Sequence, residues 1–213
     1  MDNLVHALIF GFVIGVLISA PMGPIGMLVI QRTLNKGRWP AFFTGIGASI
    51  SDLFYCLLTG LAISSIQPFV EKNQTVLTLV GSIVLVAFGV YLFRNNPARA
   101  LRAPAPGANT FWRDMVTGFL FTVSNPLILF FIIGLFARFS FPMPEYQFYH
   151  YISGYASIMA GALFWWFVIT YFVNKARSHF NVRSLWLVNR IIGSALIVFA
   201  LVGAVSAIMD MMA

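Results

Sequence analysis

The chain has 213 residues, of which 60% are apolar, a further 17 are glycine and only 9% are charged. An ordinary globular domain is about a quarter charged, so the composition excludes a water-soluble domain, a disordered chain and a nucleic-acid binder. The net charge of +7 does not restore a nucleic-acid partner, because the basic residues lie between long apolar runs, where anionic lipid headgroups attract them.

Metal, cofactor and redox chemistry are equally unsupported. Cys56 has no second cysteine to pair with, and His6, His150 and His179 lack ligand spacing. No Ser/His or paired-carboxylate arrangement points to an enzyme.

Six stretches are long enough to span a bilayer, whose hydrocarbon core of about 30 Å needs about 20 helical residues. The first, 5–31, starts behind Asp2 instead of a basic region and continues through Pro21 and Pro24 to Ile30, so it reads as a spanning helix and not as a signal peptide. The others are 41–63, 75–93, 115–137, 148–173 and 188–209. Backbone in lipid must satisfy its own hydrogen bonds, which makes these runs helices; a β-barrel would need many alternating segments of about ten residues. The predicted fold is an all-α polytopic protein, one transmembrane domain over 1–213 with six transmembrane helices.

Charge sets the orientation. Arg32, Lys36 and Arg38 follow the first helix; Arg94, Arg99, Arg102 and Arg113 lie between the third and fourth; Lys175, Arg177, Arg183 and Arg190 lie between the fifth and sixth. The opposite side receives Lys72 and Arg138, with Asp2, Glu71, Glu145 and Asp210. The positive-inside rule then places the three basic loops in the cytoplasm and both termini outside it, in a multi-pass protein of the inner (plasma) membrane.

The loop 94–114, broken by Pro97, Pro104, Pro106 and Gly107, divides the chain into halves 1–93 and 115–213. Three crossings reverse the chain, so the second half enters from the other side, the inverted-repeat arrangement of many secondary transporters. Gly11-Phe12 before Ala20-Pro21-Met22-Gly23-Pro24 parallels Gly118-Phe119 before Ser124-Asn125-Pro126.

Pro21 and Pro24 interrupt the first helix and Pro126 the fourth, each removing an amide donor and clashing with the preceding turn. Gly23 and Gly26 add backbone freedom beside the first break. At about 1.5 Å per residue the two breaks fall at similar depth, near the midplane. A broken helix exposes amides at one end, where partial positive charge suits a carboxylate, and carbonyls at the other. Gly23, Gly26, Ser124 and Asn125 are therefore expected to face a polar cavity.

Asp52 is the one carboxylate deep within a predicted span. Such a group costs about 2.5–3.5 kcal/mol on insertion scales and marks a functional site. Ala41, Gly45, Ala48 and Asp52 share a helix face narrow enough for close packing, and Ser49 and Ser51 flank the acid. Asp52 is read as a proton- or ammonium-binding residue, the alternative being a structural acid that holds two helices together through hydrogen bonds. In the fifth helix Gly154, Ser157 and Gly161, continuing to Trp165, form a second small face, read as packing. Trp165, Trp166 and Tyr171 at one end, and Tyr146, Tyr149, Tyr151 and Tyr155 at the other, read as interfacial anchors, with cavity lining the alternative for Tyr155 and Trp165; the third and sixth helices read as scaffold.

These motifs together resemble the LysE/RhtB family of amino-acid exporters. The likeness rests on Ala20-Pro21-Met22-Gly23-Pro24, Lys36-Gly37-Arg38, Gly45-Ile46-Gly47, Ser51-Asp52, Gly89-Val90-Tyr91-Leu92 and Ser124-Asn125-Pro126, and runs from about residue 10 to 134. The sequence departs from the family at Met22 and Ser51, each usually Gly, and at Leu127, where a Lys often follows Asn-Pro. The resemblance implies proton-driven export of amino acids or similar small zwitterions, and allows homo-oligomers. It assigns the first break to Pro21, Gly23 and Pro24, the charged step to Asp52, and the second break to Asn125 and Pro126. Two rivals share the topology: a passive channel, and a non-transporting assembly protein if the small faces leave no cavity.

Overall fold

The computed structural model describes residues 2–21, 23–65, 74–94, 111–125, 127–143 and 145–176, with scattered positions between 187 and 209. Seven helices have defined bounds among them: α1 (Asp2–Ser19), α2 (Pro24–Lys36), α3 (Arg38–Ser65), α4 (Gln74–Arg94), α5 (Phe111–Val123), α6 (Leu127–Phe139) and α7 (Phe148–Lys175). The described positions between 187 and 209 are also helical, and no strand occurs among the described residues. Most of the predicted 94–114 loop lies outside them, as do Met22 and Pro126.

Two of the helices are long and apolar enough to cross a membrane alone, over Arg38–Ala62 and Phe148–Lys175. Two more candidate spans are broken: α1 with α2, and α5 with α6, each pair bent by 76°. The first break falls where Pro21 and Pro24 end one hydrogen-bond ladder and begin another. Proline suits the start of α2, since its missing N–H would have no partner in the first turn anyway. Gly37 stops α2: its φ of +92° is a conformation that L side chains avoid, and its N–H returns to the Thr33 carbonyl at 3.0 Å. The chain then turns directly into α3.

α1 packs along α7 and α3 along α5, the two most extensive pairings among the described helices; α3 also meets α7, and α4 meets α6. Small residues allow this proximity. A Cβ on Gly11 or Gly161 would overlap backbone across the α1–α7 seam, and one on Gly47 or Gly118 would do so across α3–α5. The Gly154, Ser157, Gly161 face packs as expected, with Ser157 Oγ donating to the Leu8 carbonyl at 2.6 Å.

The Ala41, Gly45, Ala48 strip is likewise buried, and its partner is Trp166. The indole lies against Gly45 and is only 1% exposed. Trp166 is therefore a core wedge and not an interfacial anchor; hydropathy alone could not reveal that a notch awaited it. Tyr146 departs from the anchor reading in the same way: it is buried, with its hydroxyl 2.7 Å from His6 Nδ1. Burial, reinforced by Glu145 and Tyr151, pushes that hydroxyl above its ordinary range, so it keeps its proton. Many large apolar side chains face outward, among them Ile9, Leu61, Ile83, Phe130 and Ile152. That distribution suits lipid and not water.

Candidate functional site

The site is built around the two breaks. At the first, the Ala20 N–H closes α1 onto the Val16 carbonyl at 2.8 Å, and the Gly23 N–H reaches only to the Pro21 carbonyl at 2.8 Å. Gly23 is the N-cap of α2 and provides no side-chain cap. The first-turn amides of α2 therefore form an uncapped, partially positive end. Gly23 has φ −74° and ψ −166°, an ordinary extended backbone, and a Cβ there would touch nothing within 4 Å. Its expected backbone freedom is thus not needed for this conformation; what the position supplies is space.

At the second break, Ser124 Oγ turns back to the Leu120 carbonyl at 2.7 Å and the Asn125 N–H bonds the Thr122 carbonyl at 3.0 Å. The end of α5 is held from α3: Tyr55 donates its hydroxyl to the Val123 carbonyl at 2.7 Å. Tyr55 lies one helical turn beyond Asp52, so the acid sits close to the level of this break.

A groove of about 890 Å³, open on one side, is lined by residues of both breaks and is the candidate substrate cavity. Pro24 and Ile25 contribute from the start of α2, Ser124 and Asn125 from the second break, Ile128 from α6, and Val116, Thr117, Leu120 and Thr122 from α5. Trp112 and Arg113 line it at the basic end of α5. Of the expected site residues, Pro24, Ser124 and Asn125 share this cavity. Pro21, Gly23, Gly26, Ser49, Ser51 and Asp52 are not in its wall, and Pro126 lies outside the described residues.

Asp52 is 3% exposed, and its Oδ1 has no hydrogen-bond partner among the described residues. The hydroxyls of Ser51, of Ser19 at the end of α1, and of Thr122 share that condition. Ser49 differs, returning its hydroxyl to the Gly45 carbonyl at 3.0 Å. Buried polar groups are normally paired, and each exception calls for an explanation. Thr122 is the informative addition: 2% exposed, unpartnered, and in the cavity wall. Threonines in apolar helices usually bond back to the preceding turn, as Thr170 does to Trp166 at 2.7 Å, so sequence gave no cue that Thr122 would not. Among the described residues no cluster of His, Cys, Asp or Glu could hold a metal ion.

Arg32 was expected to be a loop charge that fixes orientation. It lies instead within α2, 7% exposed, with Nη1 3.2 Å from Asp114 Oδ1 at the start of α5. The same Nη1 donates to Thr44 Oγ1 on α3 and, at 3.3 Å, to the Asp114 carbonyl.

Broken apolar helices around a cavity, with a buried acid behind it, are the architecture of a multi-pass membrane transporter. The family model for LysE type translocators matches residues 16–206, and the chain belongs to that family. It is 29% identical over 190 residues, covering 88% of this chain and 90% of the relative, to the "Putative amino acid efflux protein YcgF" of Bacillus subtilis (strain 168). It is 26% identical over 185 residues to the "Uncharacterized membrane protein YahN" of Escherichia coli (strain K12), covering 82% and 78% of the two chains. No solved structure gives a significant match.

Proposed function

We propose that the protein exports amino acids, or closely related zwitterions, in exchange for protons, and that it does so as six spans arranged in two inverted halves of three. The observation that carries this reading is Asp52, a buried carboxylate with an oxygen unpartnered among the described residues, one helical turn from the Tyr55 that holds the end of α5.

Support for the inverted halves comes from the register of the helix seams. Aligning Gly11-Phe12 with Gly118-Phe119 pairs Leu8 with Met115. One pair of seam contacts then sets Gly154 against Thr44, and a second pair, Ser157 and Gly47, keeps the same offset. Gly11 abuts the Gly154 carbonyl as Gly118 abuts that of Thr44, and Ser157 meets the Leu8 carbonyl as Gly47 meets that of Met115. The equal 76° bends fit the same relation.

In the mechanism, the halves rock about the cavity. The substrate carboxylate takes the uncapped start of α2 and the Thr122 hydroxyl, while its ammonium and a proton compete for Asp52. Asp52 is not in the cavity wall, so the competition requires a rearrangement that brings the two together, which this reading assigns to the end of α5. The Tyr55–Val123 bond is the contact that must yield. A protein with a cavity between its breaks fits a carrier better than an assembly factor.

The test is efflux from proteoliposomes under an imposed pH gradient, with substrates found by a counterflow screen of radiolabelled amino acids. Wild type should move substrate uphill, and Asp52→Asn should lose uphill flux with an unchanged unfolding temperature. Uphill flux by D52N would remove Asp52 from the coupling step. Downhill flux alone in wild type would make the protein a channel.

A further inference from the structure

We propose that the Arg32–Asp114 pair is a gate at the basic end of the transport domain, parting to let substrate reach the cavity and closing again while the other end opens. This rests on the rocking halves proposed above. Arg32 belongs to the first half and Asp114 to the second. Contact between their helices, α2 and α5, is otherwise sparse, so this pair is the principal tie between them. It also adjoins the cavity, since Arg113, the neighbour of Asp114, stands in the wall.

The chemistry of the pair favours a contact built to open. Guanidinium–carboxylate pairs frequently form two parallel bonds, the strongest arrangement available to them. Here a single nitrogen, Nη1, is divided between Asp114 Oδ1, the Asp114 carbonyl and Thr44 Oγ1. Arg32 Nε and Asp114 Oδ2 are buried with no partner among the described residues. When the ends separate, water can solvate both charges, so the open form is not heavily disfavoured. Thr44 stays beside Arg32 on α3 as the element against which the guanidinium is held.

The opposite end is closed differently. The seam correspondence matches Asp114 with Ala7 and Arg32 with Phe139. There the surroundings are apolar: Phe139 and the fully buried Ala7 belong to one apolar cluster, and Phe139 packs on Phe10 with ring centroids 5.2 Å apart. An inverted repeat would thus present an ionic gate on one side of the membrane and an aromatic gate on the other. The first opens to charged solutes at little cost, whereas the second stays dry until the halves rock.

The experiment uses full-length protein with Cys56 replaced by Ala, carrying Arg32→Cys and Asp114→Cys, reconstituted and treated with a bifunctional methanethiosulfonate. Bridging the two positions should lower efflux at least tenfold, with recovery on adding reductant, while a monofunctional reagent should leave more flux than the bridge. Bridged protein that exports at the unbridged rate overturns the gate. A second measurement decides if the double variant does not fold. Asp114→Asn should speed labelling of an Ile25→Cys thiol by an impermeant reagent severalfold from the basic side, and an unchanged rate overturns the proposal. The labelling rate reads the gate without any flux, so wild type that fails to transport would reject the transport reading and leave this result standing.

Discussion

Thr122 separates a binding role from a packing role more cleanly than Asp52 does. Replacing a buried hydroxyl that has no partner by an isosteric methyl removes a desolvation penalty and breaks no bond, so Thr122→Val should leave thermal stability unchanged or slightly raised. If the hydroxyl receives the substrate carboxylate, the same variant should raise the KM for efflux roughly tenfold, the equivalent of about 1.4 kcal/mol. Unchanged KM would take Thr122 out of the site. Tyr55→Phe makes the converse prediction: it deletes a made bond to the Val123 carbonyl and should cost about 1 kcal/mol of stability, measured by thermal unfolding in detergent. The two residues also mark what sequence conveys at this scale. Asp52 stands out in the sequence because a lone carboxylate in an apolar run is costly unless something offsets it. Thr122 does not, since threonine is unremarkable in a membrane helix, and neither does the Arg32–Asp114 pair. Both of those charges lie at the ends of apolar runs, where charge normally reports orientation, and only tertiary contact brings them together.

At the level of the helices, the close seams make a sharper test than the breaks. Gly118→Leu would drive a side chain into the Thr44 carbonyl, and overpacking of this kind costs about 1–3 kcal/mol or more; loss of folded protein on size-exclusion chromatography checks it. Gly23→Ala should fold normally, because its backbone is ordinary and the space beside it is open. Any fall in its transport then reports the room the substrate needs. Both breaks were visible from their prolines, since a missing amide donor in an apolar helix leaves few alternatives. The partner of each helix was not visible. Small-residue stripes mark a seam without saying which helix closes it, and the wedge of Trp166 against Gly45 requires two distant segments to meet.

For the molecule as a whole, the basic loops predict which end faces the cytoplasm. Of single cysteines replacing Trp112 and Phe148, both well exposed, an impermeant maleimide should label Phe148→Cys in intact cells and Trp112→Cys only in inside-out vesicles. Labelling of both from one side would contradict the orientation drawn from charge. Segment length and loop charge are coarse quantities that survive divergence, which is why the membrane character was legible; two matching Gly-Phe pairs are too little to fix the relation between halves. The placement of Trp166 has one further use. Its indole belongs to one half and rests in a notch of the other, so rocking that lifts it from Gly45 must change the polarity around the ring. A variant retaining this tryptophan alone would carry its own optical probe, its emission shifting to the red whenever the interior is wetted and back as the notch refills.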